Sequence, residues 1–164
     1  MKKFALPLTV LMVLTACQSA YQTKHPSVQS ASSDIAQKLS DDVLDFAVGV
    51  TQGDSQRPLN PVFADCVKQP YPNLQNTIQG LIDQSLSQDD IVLLGETFVY
   101  LKSDKMPADP TLQTNIQQAK SLMTSPSVQK TMMTLMGMGG DRQVSDDIHA
   151  YIHARLSACA QHSQ

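Results

Sequence analysis

Tryptophan is absent from this chain, and its other aromatics are few, four Phe and four Tyr in 164 residues. Gln, Ser, Leu, Asp and Met are frequent instead, a composition that suits helices around a small aliphatic core rather than a β-sandwich. Long hydrophobic runs are also missing. The apolar stretch from Phe4 to Leu14 falls short of the roughly 20 residues needed to cross a bilayer core. Basic residues are outnumbered, 12 Lys and Arg against 15 Asp and Glu. That balance leaves no basic face for a nucleic acid and no polybasic patch for a membrane surface.

Several motifs are lacking as well. There is no G-x-S-x-G and no H-E-x-x-H. No C-x-x-C-H is present, which excludes covalently attached haem. The four histidines, His25, His149, His153 and His162, stand in no ordered relation to the many Ser and Asp. The run Gly137-Met138-Gly139-Gly140-Asp141 has no strand before it and no Lys-Ser/Thr after it, so it reads as a helix–helix connection rather than a phosphate loop. No internal repeat is evident. The expectation is a non-enzymatic protein.

The N-terminus is informative. Met1-Lys2-Lys3 is followed by the short apolar run, the pattern of a secretory signal. It ends in Leu14-Thr15-Ala16-Cys17, which resembles the lipobox of bacterial lipoproteins. The resemblance implies removal of residues 1–16, diacylglyceryl transfer to the Cys17 thiol, and acylation of the new N-terminus. The small residues let the backbone enter a protease, and only a thiol yields the thioether. Gln18 stands where inner-membrane lipoproteins usually carry Asp. The resemblance therefore implies an outer-membrane anchor facing the periplasm, with membrane contact through lipid alone. Without Lys2 and Lys3 the mature chain keeps 10 basic residues against 15 acidic ones, a net charge of −5.

Assigning Cys17 to lipid leaves Cys66 and Cys159, an even pair in an oxidising compartment. A disulfide between them is expected, closing a loop of about 94 residues. Residues 18–32 are polar and aperiodic, the composition of a flexible tether reaching roughly 20 Å. Residues 33–164 then form one domain.

The domain reads as all-α, an irregular bundle of six or seven helices. Ile35, Leu39, Val43, Phe46 and Val50 recur at helical spacing along one face. Val62–Val67 carries Cys66 on a short helix. Leu74, Ile78, Leu81, Ile82 and Leu86 mark the next face. Ser87 with Asp90 approximates a capping box and opens a run, Ile91 to Leu101, apolar on nearly all sides and so expected at the core's centre. Asp109-Pro110 and Ser125-Pro126 each pair a cap with a first-turn proline. The last helix is expected to open near Ser145, with Asp146 and Asp147 favourable to its N-terminus.

Two ligand sites are conceivable. On a helix turning about 100° per residue, Ile148, Ile152, Leu156 and Cys159 form one buried stripe. Asp146, His149 and His153 cluster on the flank beside it, where two imidazoles one turn apart could share copper or zinc. The methionines Met132, Met133, Met136 and Met138 carry soft thioethers suited to Cu(I). However, Met132 and Met136 continue the spacing of Val128, so they are expected in the core. The favoured reading is a lipid-tethered module that binds an envelope protein in an assembly, inhibitory or immunity-type role. A periplasmic copper or zinc binder is the second. The anchor has a direct test: Cys17→Ser should move the protein from the membrane fraction to the soluble fraction. Retention of the variant in membranes would reject lipidation there.

Overall fold

A computed structural model describes residues 26–53, 60–103 and 106–162. The signal, Cys17 and Gln18 lie outside these residues, as do His25 and most of the tether. Seven helices and no strand occur among the described residues: α1 (Pro26–Gly53), α2 (Pro61–Val67), α3 (Pro72–Ser85), α4 (Gln88–Leu101), α5 (Pro110–Leu122), α6 (Pro126–Leu135) and α7 (Arg142–His162). The all-α reading holds. Among the described residues no helix is long and apolar enough to cross a membrane.

Most helix starts are set by local chemistry. α2, α3, α5 and α6 each have proline in the first turn, where its fixed φ suits the helix and its missing N–H costs nothing. Asp109 accepts hydrogen bonds from the Thr111 and Leu112 amides at 2.7 and 3.3 Å. Ser125 accepts from Val128 at 3.4 Å and Ser87 from Asp90 at 3.2 Å. Each bond satisfies an amide that the helix leaves orphaned.

Three expectations change. First, the opening helix begins at Pro26, seven residues before Ser33. Val28 and Ser32 are buried there, and Ser32 donates to Asp83 of α3 at 2.5 Å. Tertiary contacts thus extend a helix whose local sequence looks like linker. Second, α7 opens at Arg142 rather than near Ser145. The Asp141 carboxylate accepts from the Val144 amide at 3.2 Å and caps it, which leaves Ser145 buried inside the helix. Third, α4 is not apolar-packed all round. It lies between α1 and α5, buries Ile91, Leu94 and Thr97, and leaves Val99 60% exposed.

Gly95 and Gly140 are each required by close approach. A Cβ at Gly95 would lie 2.7 Å from the Ala31 Cβ, so α1 and α4 meet there because one residue has no side chain. Gly140, at φ +79°, lies against Thr134, and a Cβ would also meet the Lys130 carbonyl at 3.0 Å. Thr134 Oγ1 accepts from the Asp141 amide at 2.9 Å, which ties the α6–α7 turn back onto α6. The buried Thr97 and Thr131 hydroxyls donate to carbonyls one turn earlier, at 2.6 and 2.9 Å, so neither is left unpaired.

Cys66 of α2 and Cys159 of α7 form the expected disulfide, with Cα atoms 5.7 Å apart. Cys159 is fully buried, as its place in the apolar stripe implied. Beside the bridge, Arg155 Nη2 donates to the Gln69 carbonyl at 3.0 Å, and its guanidinium carbon lies 5.5 Å from the Tyr71 ring centre. Tyr71 in turn meets Tyr151 edge-on at 5.9 Å. Replacing both Cys66 and Cys159 with Ser should lower unfolding stability by about 4–5 kcal/mol in the chain-entropy account. Denaturant titration with and without reductant measures this. A variant as stable as the oxidised wild type would show that the bridge contributes nothing.

Candidate functional site

α1 makes its main contacts with α3 and α4, and α7 makes its own with α3, α2 and α6. Between them runs a groove of about 600 Å³. Leu39, Val43, Phe46, Ala47 and Val50 of α1 form one wall. Met132 and Leu135 of α6, with Met136 and Met138 beyond it, and His149, Ile152 and Leu156 of α7 form the other.

This corrects the reading of α1. Ile35 is buried, but Leu39 and Val43 are only half-buried, Val50 is 53% exposed and Phe46 is 74% exposed. Ser40, Leu44, Ala47 and Val48 are the buried positions in this half. The neighbouring helices cover the face of Ala36, Ser40, Leu44, Ala47 and Val48, whose small members permit close approach, and no helix arrives over Phe46. Those small residues at helical spacing were the signal that could have identified the true core face.

The methionines are corrected likewise. Met132 packs against the core, but Met133, Met136 and Met138 are 42%, 52% and 63% exposed. α6 ends at Leu135, so Met136 and Met138 fall where the chain leaves the helix. Val128, Thr131, Thr134 and Leu135 take the inward positions.

Asp146, His149 and His153 are all exposed. Among the described residues no three His, Cys, Asp or Glu side chains come together as a metal site. The His149 ring instead lies over Gly137, where a Cβ would come within 2.5 Å of its Cε1. Gly137, at φ +70°, thus turns the chain and makes room for the ring. No hydrogen bond joins His149 or His153 to a serine or carboxylate among the described residues.

The groove's polar groups are few. Thr51 spends its hydroxyl on the Ala47 carbonyl at 2.8 Å. Asp42 forms an ion pair with Lys102, and Asp45 pairs with Lys68 at 2.9 Å. Partial burial pushes the Asp41 carboxyl above its ordinary range; the negative charges of Asp42 and Asp45 add to this and Lys102 opposes it. No protein-family model, curated protein or solved structure matches this chain.

The Asp41 shift has a definite sign. A raised carboxyl pKa means that the folded state holds its proton longer, so stability falls as pH rises through the ordinary carboxylate range toward the folded value. Asp41→Asn removes that penalty. It should raise the melting temperature at pH 7 slightly, by about 1 °C for so exposed a group, and the gain should vanish below about pH 4. A variant less stable than wild type at pH 7 would overturn the assignment.

Proposed function

We propose that this protein is a non-enzymatic binding module, tethered through Cys17 to the outer membrane on its periplasmic face, that engages a partner protein across the groove between α1 and α7. One observation carries the reading: Phe46, Val50, Met136 and Met138, all large, apolar and exposed, gather on a single groove. Scattered apolar residues on a surface need no explanation, but a contiguous patch edged by polar residues marks an interaction site. Methionine suits the task because its unbranched thioether adapts to whatever shape lies against it. Tether and groove together fit an assembly, inhibitory or immunity-type role.

The test is site-specific crosslinking in intact cells, with a photoreactive residue at Val50 and a control at Gln113 on α5. Val50 should give a discrete adduct that Gln113 does not. Phe46→Asp should cut its yield at least about tenfold, the scale of losing an aromatic anchor. Helical circular dichroism should be unchanged, since Phe46 supports no packing. Equal adducts at both positions, or indifference to Phe46→Asp, would sink the proposal.

A further inference from the structure

The turn from α6 into α7 is closed by its own backbone. Gly137 donates its amide to the Thr134 carbonyl at 3.2 Å, and Met138 donates to the Met133 carbonyl at 2.9 Å. With Gly137 at φ +70°, these two bonds end the helix on a left-handed glycine. They fix the backbone on both sides of Gly137, and with it the points from which Met136 and Met138 project. The edge of the His149 ring rests on the same glycine: a Cβ there would lie 2.5 Å from Cε1 and 2.8 Å from Nε2. Consecutive Cα atoms are about 3.8 Å apart, so the imidazole stands beside the backbone that carries both thioethers. Met136, Met138 and His149 all line the groove.

The groove's other polar groups are engaged. Lys102 takes the Asp42 carboxylate, and the Thr51 hydroxyl donates to the Ala47 carbonyl. No hydrogen bond holds the His149 ring among the described residues. Two thioethers and one imidazole are left, a donor set that carries no charge. A divalent ion there would keep its full charge against an apolar wall, and zinc favours thiolate, imidazole or carboxylate ligands. Thioethers select soft, monovalent Cu(I).

We propose that Met136, Met138 and His149 form a three-coordinate site for Cu(I) at the α6–α7 turn. The imidazole binds in its neutral form, each ligand donates a lone pair, and the metal keeps its oxidation state. Gly137 is a positioning residue that lets the ring lie against the turn. His153 takes no part. The site goes beyond partner docking, leaving Phe46 and Val50 to the partner protein.

The test uses the full chain carrying Cys17→Ser, so that no free thiol competes for metal. The probes are Cu(I), held reduced by ascorbate without oxygen, and redox-inert Ag(I). With ¹³C-labelled methionine methyls, either ion should move the Met136 and Met138 signals and leave those of Met106 and Met123 in place. Competition with a coloured Cu(I) chelator should give one ion per chain. His149→Gln, or Met136→Leu with Met138→Leu, should weaken binding at least about tenfold, since even changes outside the ligand set cost that much. His153→Gln and Met123→Leu should leave it unchanged. Should the double methionine variant lose helical circular dichroism, the methyl shifts and His149→Gln decide. No uptake of Cu(I), unmoved Met136 and Met138 methyls, indifference to His149→Gln, or displacement of Cu(I) by equimolar Zn(II) would overturn the proposal. The Val50 crosslink reads a different event: if it survives while copper binding fails, the metal site is wrong and the binding module stands.

Discussion

The Cys66–Cys159 bridge is the constraint from which the site's geometry follows. α2 is only seven residues long and has little surface of its own to bury. Bonded to Cys159, it becomes a covalent clamp on the C-terminal half of α7, and Arg155 adds a hydrogen bond to Gln69 on the same side. α7 is thereby held toward α2 and α3. At its other end the turn through Gly137 and Gly140 fixes where it begins, directly after α6. Pinned at both ends in this way, α7 packs on α3, α2 and α6. The space left between it and α1 is the groove.

α1 contributes the other wall because its faces serve two purposes. Its small residues meet α3 and α4 closely, at Gly95 within the distance of a single Cβ. Its large ones at Phe46 and Val50 have no helix to pack on. The acidic cluster along the same helix is tied down by lysines from elsewhere, Lys68 for Asp45 and Lys102 for Asp42. These exposed pairs contribute little to stability individually. Their effect is positional: they set the charges that border the apolar floor, and the Lys38 and Lys102 ammonium groups lie near the Phe98 ring.

Much of the scaffold could be read from short segments. Asp109-Pro110 and Ser125-Pro126 start helices for reasons contained within four residues, and the Ser87 cap behaves the same way. The pairing of Cys66 with Cys159 followed from counting cysteines once Cys17 was read as the lipid acceptor. The stripe Ile148, Ile152, Leu156 and Cys159 identified the face that α7 turns inward, although Ile152 and Leu156 stop at half-burial because they border the groove. The groove itself was not legible. Periodicity in α1 marks an apolar stripe but cannot tell a stripe with a neighbour from one without.

What the sequence by itself determined, then, is where most helices begin, that the domain is all-α, and which two cysteines remain to pair. All of these depend on neighbouring residues or on composition. What only the tertiary structure decided is which apolar residues are core and which are site. Phe46, Met136 and Met138 carry the same hydrophobic signal as Leu44 and Leu135, and they differ only in whether another helix arrives to cover them. That outcome depends on a clamp between residues 93 apart in sequence, a separation that no local pattern can see across. The start of α1 at Pro26 has the same origin, since polar residues become helical there because α3 offers Ser32 a partner.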